Sequence, residues 1–237
     1  MKFLKTLILS SLLLAPAVWA ASCPRSLAPG MNCNTFPEGC VYVPASVRTI
    51  PLVYFRGLIQ DAPRNPPEST KALFDLNRRY RLKKAADDKG QIILATHKST
   101  IAISTNTLRC LKSIGDTSSI DVASHSGGGV GLASSKSVLQ GEVRHLYLLD
   151  NFYGRETLRA AVRKISPSSC SGFYTAHALR HISAISTPRS QGSYQLIDTS
   201  CVVKKGQAHI EDVVPALLVS PSNNRRRSGS DGAGSGH

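Results

Sequence analysis

A serine hydroxyl becomes a useful nucleophile only beside a base, a group that orients that base, and donors for the oxyanion that forms on attack. The stretch Ser124-His125-Ser126-Gly127-Gly128 offers the nucleophile. It follows the apolar run "SSIDVAS" and precedes the small residues of "GGVGLASSKSVLQG", which read as a helix. A serine on a sharp strand-to-helix turn needs small neighbours two positions to either side. Gly128 fills one of these positions, and Ser124, small but not glycine, fills the other. Downstream, Asp150 closes the apolar run "VRHLYLLD", and His209 follows the strand-like "SYQLIDTSCVV" through "KKGQA". In that chain order Ser126 is the candidate nucleophile, Asp150 the acid and His209 the base. The competing roles are an N-cap for Asp150 and a loop histidine at a helix start for His209. Asp198, within the last strand, is the spare acid, and Asp121 lies away from its strand's active end.

These residues need a scaffold that brings strand ends together. "TIPLVYFRG", "QIILATH", "SSIDVAS" and "VRHLYLLD" are short continuous apolar runs, the pattern of buried strands. "STKALFDLNRRYRLKKAADDKG" reads as one helix closed by Gly90, "TIAISTNTLRCLKSIGD" as a second closed by Gly115, and "RETLRAAVRKIS" as another. "ALRHISAIST" carries a fifth strand towards its end and "SYQLIDTSCVV" is a sixth, and "HIEDVVPALLVS" is a helix that Pro215 starts near Val214. Alternating strands and helices predict an α/β fold with a mostly parallel central sheet flanked by helices. Sites in such sheets sit at the carboxyl ends of strands, where Gly57, Ser126 and Asp150 fall.

The Ser-His-Ser-Gly-Gly-Gly run after a strand, with acid and histidine following in order, resembles the elbow of serine esterases and peptidases. Over roughly residues 49–220 the chain is similar to the α/β-hydrolase superfamily. The resemblance implies the α/β-hydrolase fold and a Ser126–His209–Asp150 triad. "LVYFRGL" resembles that family's oxyanion segment, with Arg56 where a histidine is common. It implies an oxyanion hole built from the backbone N–H groups of Gly127 and of Leu58 or its neighbour Gly57. His125, His97 and Arg56 are candidate pocket residues, and His125 is expected to orient a loop or touch substrate. His145, His177 and His181 read as packing or surface residues.

Residues 1–20 have the charged, apolar and small-residue regions of a secretory signal peptide. A Cys-rich lead-in spans 21–48, the hydrolase domain 49–222, and a basic Gly/Ser-rich tail expected to be disordered 223–237. The six cysteines lie beyond the signal and predict up to three disulfides, with fifteen possible pairings. Cys33 with Cys40 is the easiest pair, across "CNTFPEGC"; Cys110 is alternatively a buried free thiol. The formal charge of +14 falls to +12 without Lys2 and Lys5. In an exported chain this points to anionic envelope polymers or membrane surfaces rather than nucleic acid, or equally to a solvated basic surface with no specific ligand.

No cofactor is expected. The glycine run breaks the dinucleotide pattern G-x-G-x-x-G at Ser134, and no histidine pair has zinc-ligand spacing. Only 24 residues separate Ser126 from Asp150, so a substrate-covering cap is expected, if anywhere, in 154–180, where "SPSSCSGFYTAHALRH" is irregular. The sequence thus predicts a secreted or periplasmic serine hydrolase acting on an ester or amide, with an anionic cell envelope as one source of substrate. No transmembrane segment is expected in the mature chain. The alternative is a non-catalytic cell-envelope-binding protein on a hydrolase scaffold.

Overall fold

Residues 23–58, 65–75 and 79–219 are described in the computed structural model of this chain. The signal-peptide and tail segments, 1–20 and 223–237, lie outside the described residues.

The lead-in folds as an antiparallel hairpin of β1 (Gly30–Phe36) and β2 (Gly39–Val43), tied by the Cys33–Cys40 disulfide. β3 (Thr49–Phe55) follows, then α1 (Pro66–Asp75) and α2 (Leu82–Lys89). The single helix expected here is therefore two. Residues 79–81 are not helical, and Arg81, with φ of 40°, leaves helical geometry immediately before α2. β4 (Gln91–Thr96), α3 (Thr105–Ile114), β5 (Ile120–His125) and α4 (Gly129–Ser134) come next. They are followed by β6 (Val143–Leu149), α5 (Arg155–Ile165) and β7 (Ser169–Tyr174).

Within 154–180, α5 is the helix expected of "RETLRAAVRKIS", whereas "SPSSCSGFYTAHALRH", expected to be irregular and able to hold a cap, contains β7. The strand expected towards the end of "ALRHISAIST" is the short β8 (Ser186–Pro188), preceded by α6 (Leu179–Ile182). The predicted sixth strand is a hairpin of β9 (Ser193–Leu196) and β10 (Val202–Lys205), with Asp198 in its turn rather than in a strand. α7 (Val213–Leu218) begins close to the position that Pro215 dictates.

The strands form one sheet in the order β1-β2-β4-β3-β5-β6-β7-β10-β9-β8. The expectation of a mostly parallel α/β-hydrolase sheet is overturned. The sheet is mixed, with five parallel pairings confined to its centre. Four antiparallel pairings make up its two ends. A run of apolar residues reports that a strand is covered on both faces, but not which way its neighbour runs.

Both faces are covered. Val53, Phe55, Leu146 and Leu148 pack with Leu108, Leu111, Leu132, Leu158 and Val162 from α3, α4 and α5. The alternate residues Leu52, Tyr54, Tyr147 and Leu149 pack with Leu73, Phe74, Leu82, Val213 and Leu217 from α1, α2 and α7. This two-residue alternation is the strand period. Cys23 bonds Cys110 of α3, replacing the free-thiol reading of Cys110, and Cys170 of β7 bonds Cys201. Three disulfides fit an oxidising environment of the kind exported proteins meet. Among the described residues, no helix is long and apolar enough to cross a membrane.

Candidate active site

The central strands β4, β3, β5, β6, β7 and β10 run parallel, so their carboxyl ends share one edge of the sheet. Ser126 is the first residue beyond β5, Asp150 the first beyond β6, and His209 lies in the segment after β10. Ser126 has φ of 49° and Asp150 φ of 50°, left-handed conformations that cost a non-glycine residue about 1–2 kcal/mol. The surrounding packing enforces the serine turn. A Cβ on Gly128 would lie 2.2 Å from the Phe55 carbonyl oxygen, and one on Gly57 would lie 2.7 Å from Ser126 Cβ. Only glycine permits β3 and the turn after β5 to approach so closely. Ser124, at the other flank, is fully buried in β5.

Asp150 is fully buried and its carboxylate accepts three hydrogen bonds. The Thr175 backbone N–H donates to Oδ1 at 2.8 Å and the Thr175 hydroxyl to Oδ2 at 2.8 Å. His209 Nδ1 lies 2.5 Å from Oδ2. Burial by itself would raise the Asp150 carboxyl. The bonds from His209 and from the backbone and hydroxyl of Thr175 outweigh it and hold the carboxyl below its ordinary value. With Nδ1–H given to Asp150, Nε2 is the imidazole nitrogen left with a lone pair. Among the described residues neither Ser126 Oγ nor His209 Nε2 has a hydrogen-bond partner. Such contacts often tighten only when substrate arrives.

The segment carrying His209 is held at several points. Gly206 N–H donates to the Tyr174 carbonyl, and the Asp212 carboxylate accepts from Gln207 N–H at 2.6 Å and Ala208 N–H at 2.8 Å. His125 supplies another anchor. Its Nε2–H donates to the His209 carbonyl at 2.8 Å, and the two rings lie 4.6 Å apart. A carbonyl only accepts, so Nε2 carries the proton. Burial, then the neighbouring His209, push the His125 imidazole down to about 4, so the buried ring is neutral. Its Nδ1 is buried without a hydrogen-bond partner.

The other expected residues divide in two. A Cβ built on Gly127 would lie 3.9 Å from Leu58 N, so the two residues come close together beside Ser126. Neither N–H donates to a protein acceptor among the described residues. Arg56 and His97 follow β3 and β4 and do not line the cavity that opens at Ser126. His97 Nδ1 pairs with Thr70 Oγ1 at 3.1 Å, and Arg56 Nε and Nη1 are buried without hydrogen-bond partners.

Asp121 pairs with Arg144 at the opposite end of β5, and Asp198 pairs with Arg163 at 3.5 Å. Thr175 was not singled out by sequence, although it follows a strand just as Asp150 does. Its only signal is the "GFYT" end of β7, a strand the polar "SSCS" conceals. Among the described residues no cluster of His, Cys, Asp and Glu could hold a metal ion.

Comparison of the chain with protein-family models, with curated proteins and with solved structures finds no match.

Proposed function

We propose that this chain is an exported serine hydrolase, secreted or periplasmic, acting on an ester or amide. Ser126 Oγ attacks the carbonyl carbon while its proton passes to His209 Nε2. Asp150 holds His209 in the required tautomer and stabilises the imidazolium. The Gly127 and Leu58 N–H groups receive the oxyanion. The scissile C–O or C–N bond breaks as His209 returns the proton to the leaving group. Water then attacks the acyl-enzyme by the same route and frees Ser126.

The observation that carries this reading is the buried Asp150, 2.5 Å from His209, at the same sheet edge as a serine in a left-handed turn. The likeness to serine esterases and peptidases supports it at the level of the Ser-His-Ser-Gly-Gly-Gly turn and the residue order, not of the sheet. The test is a small ethyl fluorophosphonate on the mature protein, with the adduct located by peptide mass spectrometry. The expected result is one adduct, on Ser126, absent from Ser126→Ala and from heat-denatured protein. A folded protein that takes no adduct at neutral to mildly alkaline pH overturns the hydrolase reading. It would leave a cell-envelope-binding role in its place.

A further inference from the structure

A cavity of about 640 Å³ opens at Ser126. That volume suits a drug-sized group, and an acetyl group would leave most of it empty. Val130 and Ala133 of α4, Tyr153, and Leu158 of α5 give it apolar walls. Val130 and Tyr153 are 53% and 45% exposed, in a chain that buries most of its large apolar side chains. Leu58, on the oxyanion side of Ser126, is 71% exposed. An apolar surface left open around a nucleophile is suited to an apolar ligand.

The charge in this cavity has one sign. Among its described lining there is no carboxylate, and Lys136 is the charged residue. Lys136 is half-buried and has no ion-pair partner among the described residues. A lysine that lines a cavity with no carboxylate among the described lining is a site for an anion supplied from outside. α4 separates it from Ser126. Ser126 and Lys136 are ten residues apart along this turn and helix, which at about 1.5 Å each puts the two ends of the cavity on the order of 15 Å apart, a span that the lysine side chain shortens.

We propose that the substrate is an ester or amide of a medium-length apolar acid that carries an anionic group at its far end. The reacting carbonyl lies at Ser126, the apolar chain against Val130, Tyr153 and Leu158, and the anion at Lys136. This rests on the serine hydrolase reading and adds the substrate class.

The test compares three p-nitrophenyl esters: the acetate, the octanoate, and the mono-ester of suberic acid. The octanoate and suberate chains are equally long, and only the second ends in a carboxylate. The octanoate should exceed the acetate in kcat/KM by at least about tenfold, from burial of the added methylenes. The suberate should exceed the octanoate by about tenfold, the size of a charge-assisted hydrogen bond. In Lys136→Glu the suberate-to-octanoate ratio should fall below one. A ratio is unaffected by partial loss of folded protein.

A wild-type ratio near or below one, or a ratio that Lys136→Glu does not change, overturns the proposal. If that happens while ethyl fluorophosphonate still labels Ser126, the substrate class is wrong and the hydrolase reading stands. If no ester is turned over and Ser126 is not labelled, the hydrolase reading fails and the substrate class fails with it.

Discussion

Ser126 and Asp150 both sit at positive φ although neither is glycine, and each is the first residue beyond a buried strand. Strain of this kind persists only where neighbouring contacts over-determine the backbone. For Asp150 those contacts are the Thr175 and His209 hydrogen bonds; for Ser126 they are the glycines that let β3 approach. His125 joins the two halves of the site, adjacent to Ser126 in the chain and bonded to the His209 carbonyl. Its burial has a cost that pH exposes. The folded ring titrates at about 4 and the unfolded one at about 6.5. Above pH 6.5 both states are neutral and the difference contributes nothing. As pH falls towards 4, the unfolded chain takes up a proton that the folded chain refuses, so stability is lost. The loss is on the order of 3 kcal/mol for this one histidine. His145, also pushed down to about 4 by burial, adds to it. Urea unfolding at pH 7 and pH 4.5 should therefore show a marked acid-induced drop. In His125→Gln, which keeps an N–H donor but does not titrate, that drop should be clearly smaller. An equal drop in the two proteins would show that His125 does not cause it.

At the scale of elements, six parallel strands point their carboxyl ends to one edge, and the loops leaving that edge carry the candidate chemistry. The turn from β5 into α4 is a close passage. Gly128→Ala would place a methyl group 2.2 Å from the Phe55 carbonyl oxygen, a backbone atom that cannot swing aside. The turn must move, at a cost of about 1–3 kcal/mol, and Ser126 moves with it. We expect this variant to unfold at lower denaturant concentration and to lose fluorophosphonate labelling of Ser126. Gly154→Ala, where nothing lies within 4 Å of the new methyl group, should keep wild-type stability. Equal unfolding midpoints for the two variants would contradict the close approach of β3 to this turn.

For the whole molecule, three disulfides close loops of very different span. Cys23–Cys110 spans 87 residues and ties the start of the described chain to α3, whereas Cys33–Cys40 spans 7 within one hairpin. Loop entropy makes the first worth about 4–5 kcal/mol and the second about 2–3 kcal/mol. Cys23→Ala with Cys110→Ala should therefore lower the melting temperature more than Cys33→Ala with Cys40→Ala. The reverse order would show that native-state effects, not chain entropy, dominate. Of the pairings, Cys33–Cys40 was legible from its short turn; the other two join residues far apart in the chain, and no local pattern encodes such a meeting. The same division runs through the fold. β3, β4, β5 and β6 were readable because burial on both faces demands unbroken apolar runs. β7 was not, because a Cβ on Gly172 would lie 1.8 Å from the Leu148 carbonyl oxygen, and a strand that needs glycine there loses its apolar pattern. By itself the sequence determined β3 to β6, the small-residue turn at Ser126 and the order of serine, aspartate and histidine, all of which are local. The antiparallel ends of the sheet, the Thr175 bonds to Asp150 and the His125 bond to His209 were decided only by the tertiary structure. Each depends on which distant backbones pair, and hydrogen bonding between strands leaves no mark in the residues of either strand alone.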